Sequence, residues 1–234
     1  MNLLLFHTRE YTTGDSIRVD GERARHLVQR GAQPGDCLRV GEIDGLLGEG
    51  TIRSMTGDSV TLSVQLERQP PQKLPLAFVV ALPRPKMLRR ILRTVAEFGV
   101  PELHLVNSYR VEKSYWQTPV LEPDTLRSYL LQGLAQGVDT VLPAVHCHRR
   151  FKPWVEDELP ALLDGRRGLL AHPGDHPACP HKLTENTLVC VGPEGGFTDY
   201  EVEKLRATGC ETVSLGARIL RVENAVTALL GRMA

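Results

Sequence analysis

Apolar residues follow two different rhythms along the chain. Up to about residue 66 they come in short runs, such as Cys37-Leu38-Arg39-Val40, Gly50-Thr51-Ile52 and Val60-Thr61-Leu62-Ser63-Val64. Pro34-Gly35-Asp36, Asp44-Gly45 and Thr56-Gly57-Asp58 punctuate these runs, and glycine beside aspartate favours tight turns. Short strands spaced this way predict a small β-barrel, with one helix over residues 23–30. From Leu76 the runs lengthen. Residues 76–82 are continuously apolar, the pattern of a strand covered on both faces. Residues 85–98 have helical spacing, with Pro85 suited to a first turn and Gly99 to the position after the last. Further strands are predicted at 103–106, 140–145, 168–171, 187–191 and 212–215. Helices are predicted at 123–136, 154–163, 198–208 and 223–233, the third opened by a Thr198/Glu201 capping box. Strands alternating with helices predict a mostly parallel α/β sheet.

The change of rhythm coincides with residues 67–75, where three prolines stand among polar residues. The reading is therefore two domains, a β-barrel over 1–72 and an α/β domain over 73–234. Composition narrows the class. Across 234 residues, 28 Lys and Arg balance 28 Asp and Glu, so no global field steers the chain onto nucleic acid, and that function must come from local patches. No apolar run approaches the length of a membrane span, and the first residues lack the basic start of a signal peptide. Five cysteines without a CxxC pair fit reduced thiols in a cytoplasmic protein.

Three stretches carry candidate chemistry. Lys86, Arg89, Arg90 and Arg93 recur at helical spacing opposite Met87, Leu88, Ile91, Leu92 and Val95. Such a face is either solvated surface or a stripe that tracks phosphates. Gly192-Pro193-Glu194-Gly195-Gly196-Phe197 follows a buried strand and precedes the capped helix. Its glycines allow close backbone approach to a ligand, although it lacks the Lys-Ser/Thr of a P-loop. A bare turn has no need of the Glu194 carboxylate. Residues 215–225, Leu-Gly-Ala-Arg-Ile-Leu-Arg-Val-Glu-Asn-Ala, join the last strand to the last helix. Both loops leave the carboxyl ends of strands, where parallel sheets form their ligand crevice. His172, His176, Cys179 and His181 are zinc ligands by type, but Pro173, Pro177 and Pro180 interrupt them and no standard spacing appears, so no metal is expected. His146 and His148 flank Cys147 and are read as structural.

The pair of loops, with the capped helix between them, resembles the SPOUT superfamily of RNA methyltransferases, and within it the 16S rRNA (uracil-N3)-methyltransferase family. The resemblance spans nearly the whole chain, loosely over a PUA/OB-like barrel and specifically over the C-terminal motifs. It implies a trefoil knot, S-adenosylmethionine bound in it, and a homodimer acting on 16S rRNA of the small ribosomal subunit. Cofactor contacts are expected from Gly192, Pro193, Glu194, Gly195, Gly196, Leu215, Gly216, Ile219, Leu220, Asn224 and Ala225. Arg221 and Arg218 are the expected catalytic cations, with Glu194 or Glu223 relaying the proton. Lys86, Arg89, Arg90, Arg93 and Arg110 are expected on RNA. The final helix, with Ala225, Val226, Ala228, Leu229 and Leu230, carries more apolar surface than one packed side covers, which places it in the dimer interface.

The chain departs from the family pattern at several positions. Asn224 stands where the family has threonine, and Tyr109 where Ser108-Tyr109-Arg110 replaces Ser-Glu-Arg. Ala135 and Asp139 replace a carboxylate and an arginine at positions expected to face RNA. Two alternatives follow: methylation of another base or a ribose hydroxyl, and an RNA-binding assembly protein without transferase activity.

Overall fold

The computed structural model describes residues 2–234 and divides into two compact units. One runs to Gln72 and takes in Leu131–Leu142; the other holds Lys73–Leu130 and Pro143–Ala234. Reading 73–234 as one continuous domain did not anticipate that return.

In the first unit β1 (Leu4–Phe6), β2 (Tyr11–Thr13), β3 (Ser16–Asp20), β4 (Cys37–Glu42), β5 (Leu47–Met55) and β6 (Ser59–Arg68) form one sheet. Its order is β1-β4-β5-β6-β3-β2, antiparallel throughout except for β1 on β4. The first three strands are short, two of them only three residues, and too brief to show alternation in the sequence. Phe6, Ile17, Val19, Val40, Ile52, Val60 and Leu62 form the core, and helix α1 (Glu22–Gln29) adds Ala24 and Leu27. Residues 139–142 are tied to this unit. Thr140 Oγ1 donates to the Gly45 carbonyl at 2.6 Å, and the Leu142 N–H donates to Asp44 Oδ1 at 3.0 Å. Asp139 is buried, its Oδ1 accepting from the N–H groups of Thr140 and Val141 at 2.7 and 3.0 Å. It closes a turn rather than facing RNA.

The second unit is a parallel sheet of β7 (Leu76–Ala81), β8 (Glu102–Val106), β9 (Ala144–His148), β10 (Arg167–Ala171), β11 (Thr187–Val191) and β12 (Cys210–Val213). The strand order is β12-β10-β11-β7-β8-β9. All residues of β7 and β11 are buried, as continuous apolar runs require. β9 begins at Ala144 rather than 140, because the preceding residues belong to the first unit and Pro143 cannot donate to a ladder. Helix α2 (Pro85–Glu97) buries Leu88, Ile91, Leu92, Val95 and Ala96. Helix α3 (Pro123–Gly137) crosses from this unit to the other. After β9 come α4 (Phe151–Pro153), a π-helical turn over Trp154–Glu158, and α5 (Leu159–Leu163). Pro160 has no N–H to return to Glu156 and its ring clashes with that carbonyl, which opens the helix there. Helix α6 (Asp199–Ala207) starts on the Thr198/Glu201 capping box, and α7 (Val222–Met233) ends the chain.

Candidate cofactor cavity

At the carboxyl ends of β10, β11 and β12, the 192–197 turn and the 214–220 loop wall a cavity of about 400 Å³. Pockets of roughly 300–1,000 Å³ suit small-molecule ligands. The turn depends on its glycines. A Cβ on Gly192 would sit 3.0 Å from the Phe197 backbone nitrogen, and Gly196 has a φ of 74°. The Gly196 N–H donates to the Pro193 carbonyl at 2.8 Å and closes the turn. The opposite wall is set by Ser214, whose hydroxyl accepts from the Gly216 N–H at 3.1 Å.

Glu201 holds the surrounding backbone. Its Oε2 accepts from the Thr198 N–H and hydroxyl at 2.9 and 3.0 Å, and its Oε1 accepts from the Tyr109 N–H at 2.7 Å. The capping box thereby also fixes residues 108–110. Arg110 donates to the Gly195 carbonyl and lines the cavity. Arg110, expected on RNA, is exposed and also contacts the glycine turn. The Tyr109 side chain is 86% exposed.

The cavity gathers every expected cofactor residue except Asn224, which is exposed on α7. Arg218 lines it; Arg221 and Glu223 do not. Arg221 is the exposed N-cap residue of α7, and Glu223 is buried in that helix's first turn. Glu194 has a structural partner after all: its Oε1 accepts from the N–H of Arg84, the N-cap residue of α2, at 3.1 Å. The carboxylate thereby pins the glycine turn to the positive end of that helix. His172, Asp199 and Phe197 also line the cavity, unassigned from sequence. His172 directly follows β10, so the strand-end rule that singled out the two loops applies equally to it. Burial, then the neighbouring His176, hold its pKa below the ordinary 6.5 against the opposing pull of Asp199.

On α2 the side chains of Lys86, Arg89 and Arg90 are exposed. Arg93 is half-buried, its guanidinium 4.7 Å from the centre of the Tyr129 ring, so it does not share the open face. The apolar excess expected of α7 is absent. Val222, Val226, Leu229, Leu230 and Met233 are all buried within the chain, leaving Asn224, Thr227, Ala228 and Gly231 outside. The 172–181 stretch does not gather metal ligands. Cys179 is buried, its N–H donating to the Ser214 carbonyl at 2.9 Å and its carbonyl accepting from Arg232 Nε at 2.6 Å.

Comparison with known proteins agrees with this architecture. Residues 70–234 match the sequence model of the RNA methyltransferase domain family. The ribosomal RNA small subunit methyltransferase E of Treponema pallidum is 28% identical over 97% of this chain and 88% of its own length. A Borreliella burgdorferi relative, ribosomal RNA small subunit methyltransferase E 1, is 25% identical over 97% and 95%. Among solved structures, the Neisseria gonorrhoeae ribosomal RNA small subunit methyltransferase E bound to S-adenosyl methionine superposes with a TM-score of 0.76 at 16% identity. It covers 98% of this chain and 95% of that one. A Legionella pneumophila methyltransferase with bound SAM gives 0.77 at 19% identity, with the same coverage. Both walls of the cavity fall inside the matched stretch, and the chain belongs to the RNA methyltransferase domain family.

Proposed function

We propose that this protein transfers a methyl group from S-adenosylmethionine to N3 of a uridine in 16S rRNA of the small ribosomal subunit. The observation that carries the reading is the cavity walled by the glycine turn and the 214–220 loop. The residues present fit the cofactor. Gly192 and Gly196 keep the turn in its tight shape, while Leu215, Ile219, Leu220 and Ala225 offer an apolar wall for an adenine and backbone groups for its edge. When bound, S-adenosylmethionine supplies an electrophilic methyl on a sulfonium.

The chain's own residues position the base and handle its proton. Uracil N3 carries a weakly acidic proton that leaves before its electron pair attacks the methyl carbon. Arg218, in the cavity wall, is the cation assigned to the negative charge that develops on the flanking carbonyl oxygens. Glu194, also in the wall, is the carboxylate assigned to take the proton. Arg221 stands outside the lining and is assigned to RNA with Lys86, Arg89 and Arg90. Because a displacement at carbon is in-line, orientation of base against cavity supplies much of the rate.

Three structural features belong to the same reading. The first unit is proposed to close as a PUA/OB-like RNA-binding barrel. The C-terminal segment is proposed to thread as a trefoil knot. In support, the connection between β10 and β11 bonds both to residue 214 and to the end of α7. The Cys179 N–H donates to the Ser214 carbonyl at 2.9 Å, and the Lys182 and Leu183 N–H groups donate to the carbonyls of Arg232 and Met233 at 2.9 and 3.0 Å. The protein is proposed to act as a cytoplasmic homodimer with α7 in the interface.

Mass spectrometry of rRNA nucleosides from a deletion strain, with and without the gene restored, tests the reaction. Loss and recovery of one N3-methyluridine is expected; a different lost modification, or none, defeats the assignment. In single-turnover methylation of small-subunit particles, Arg218→Ala should slow the rate at saturating RNA, and Arg221→Ala should mainly weaken binding. The opposite pattern would reverse the two roles.

A further inference from the structure

One face of β8 and β9 carries a cluster that the methyl-transfer site does not use. The register sets His104 opposite His146 and Val106 opposite His148. The His104 ring stacks on both, with centroids 4.8 Å and 5.3 Å away. Glu102 Oε1 lies 3.3 Å from His104 Nε2 and 3.8 Å from His146 Nε2, and Arg166 holds the other Glu102 oxygen at 3.0 Å. On the far side His104 Nδ1 meets His148 Nε2 at 3.0 Å, and His148 Nδ1 meets Glu158 Oε2 at 3.0 Å. Glu158 is the last residue of the π-helical turn.

With both rings neutral, the cluster is one proton short. The contacts Glu158 to His148, His148 to His104, and His104 to Glu102 each need an N–H, and two neutral imidazoles bring two. When His148 donates to Glu158 and His104 donates through Nδ1 to His148, His104 Nε2 is a bare lone pair facing a carboxylate oxygen. That atom is buried and has no hydrogen-bond partner, in a residue only 2% exposed.

A divalent cation satisfies the same atoms without that proton. We propose that Glu102 Oε1, His104 Nε2 and His146 Nε2 bind a Zn²⁺-type ion, with water at the fourth position. One ligand atom from each of the three residues lies within 4.8 Å of the others, whereas tetrahedral zinc with bonds of about 2.0–2.1 Å sets its ligands roughly 3.4 Å apart. His146 makes up the difference: it sits on the edge strand with its side chain 47% exposed, and to ligate it turns out of its stack on His104. Two imidazoles and one carboxylate favour zinc over the harder magnesium or calcium. The remaining contacts form the outer support such sites use. His148 and Glu158 fix the His104 tautomer, and Arg166 keeps Glu102 single-toothed. None of these residues lines the cofactor cavity, so the ion would clamp the edge strand β9 to β8 rather than take part in methyl transfer.

The test is calorimetric titration of the chelator-treated full chain with zinc chloride, followed by the visible spectrum of the cobalt(II) form. One ion per chain and intense tetrahedral cobalt bands are expected. His146→Ala and Glu102→Gln should each weaken zinc binding by at least about tenfold. The glutamine keeps the shape of the side chain and a bond to Arg166, and circular dichroism establishes that each variant is folded. His181→Ala should bind as wild type does. Absence of zinc binding by the wild type, or loss of it in His181→Ala with retention in His146→Ala, overturns the proposal.

Discussion

Gly196 has a φ of 74°, where an L side chain costs roughly 1–2 kcal/mol through the contact of its Cβ with the next carbonyl. A β-branched residue adds restriction at χ1. Gly196→Val is therefore expected to drive the turn out of the shape that its own N–H closes on the Pro193 carbonyl. S-adenosylmethionine affinity should fall at least about tenfold by calorimetry while the chain stays folded; unchanged affinity removes the turn from the cofactor site. The need for glycine here was legible in the sequence, because the turn sits between a buried strand and a capping box. The role of Glu194 was not. Its partner, the Arg84 N–H, is 110 residues away, and no local pattern announces a carboxylate that caps a distant helix. Asp139 misleads in the same way: a buried turn-closing carboxylate and an RNA-facing one look alike in sequence.

Helix α2 shows how far an amphipathic pattern reaches. Its buried face was legible residue by residue, because 3.6-residue spacing dictates which side chains meet the sheet. Its basic face was legible only as a stripe, and the structure divides it. Arg90 is exposed, whereas Arg93 stacks on the Tyr129 ring from helix α3. Arg90→Ala should weaken RNA binding and lower the salt slope by about one, with no change in urea denaturation. Arg93→Ala should instead cost about 0.5–1 kcal/mol of stability, the range for a cation over an aromatic ring. Equal effects of both on the salt slope, with neither changing the urea midpoint, would return Arg93 to the phosphate-tracking face. Among the strands, the central β7 and β11 were legible because full burial makes them almost uniformly apolar. β9 was misplaced because its sequence, Ala-Val-His-Cys-His, is half polar and exposed at the sheet edge.

The homodimer is the part of the reading that changes most at the scale of the whole molecule. Sequence periodicity counted the apolar residues of α7 but not the neighbours already waiting for them, and the chain itself buries every large one. A dimer through this helix must therefore use the exposed face of Asn224, Thr227, Ala228 and Gly231, and Ile219, which lines the cavity, is itself 82% exposed. Small residues let two helix backbones approach closely, and a large charged side chain between them prevents that approach. Ala228 is exposed in the single chain, so Ala228→Arg should leave its fold and thermal midpoint near those of an isolated protomer. Light scattering should show the two-chain mass of the wild type falling to one chain in the variant. S-adenosylmethionine binding should fall with it if the second copy helps to enclose Ile219 and the cavity mouth. A wild type that scatters as a single chain while methylating ribosomal particles would show that α7 has no partner copy and that the cavity is complete within one chain.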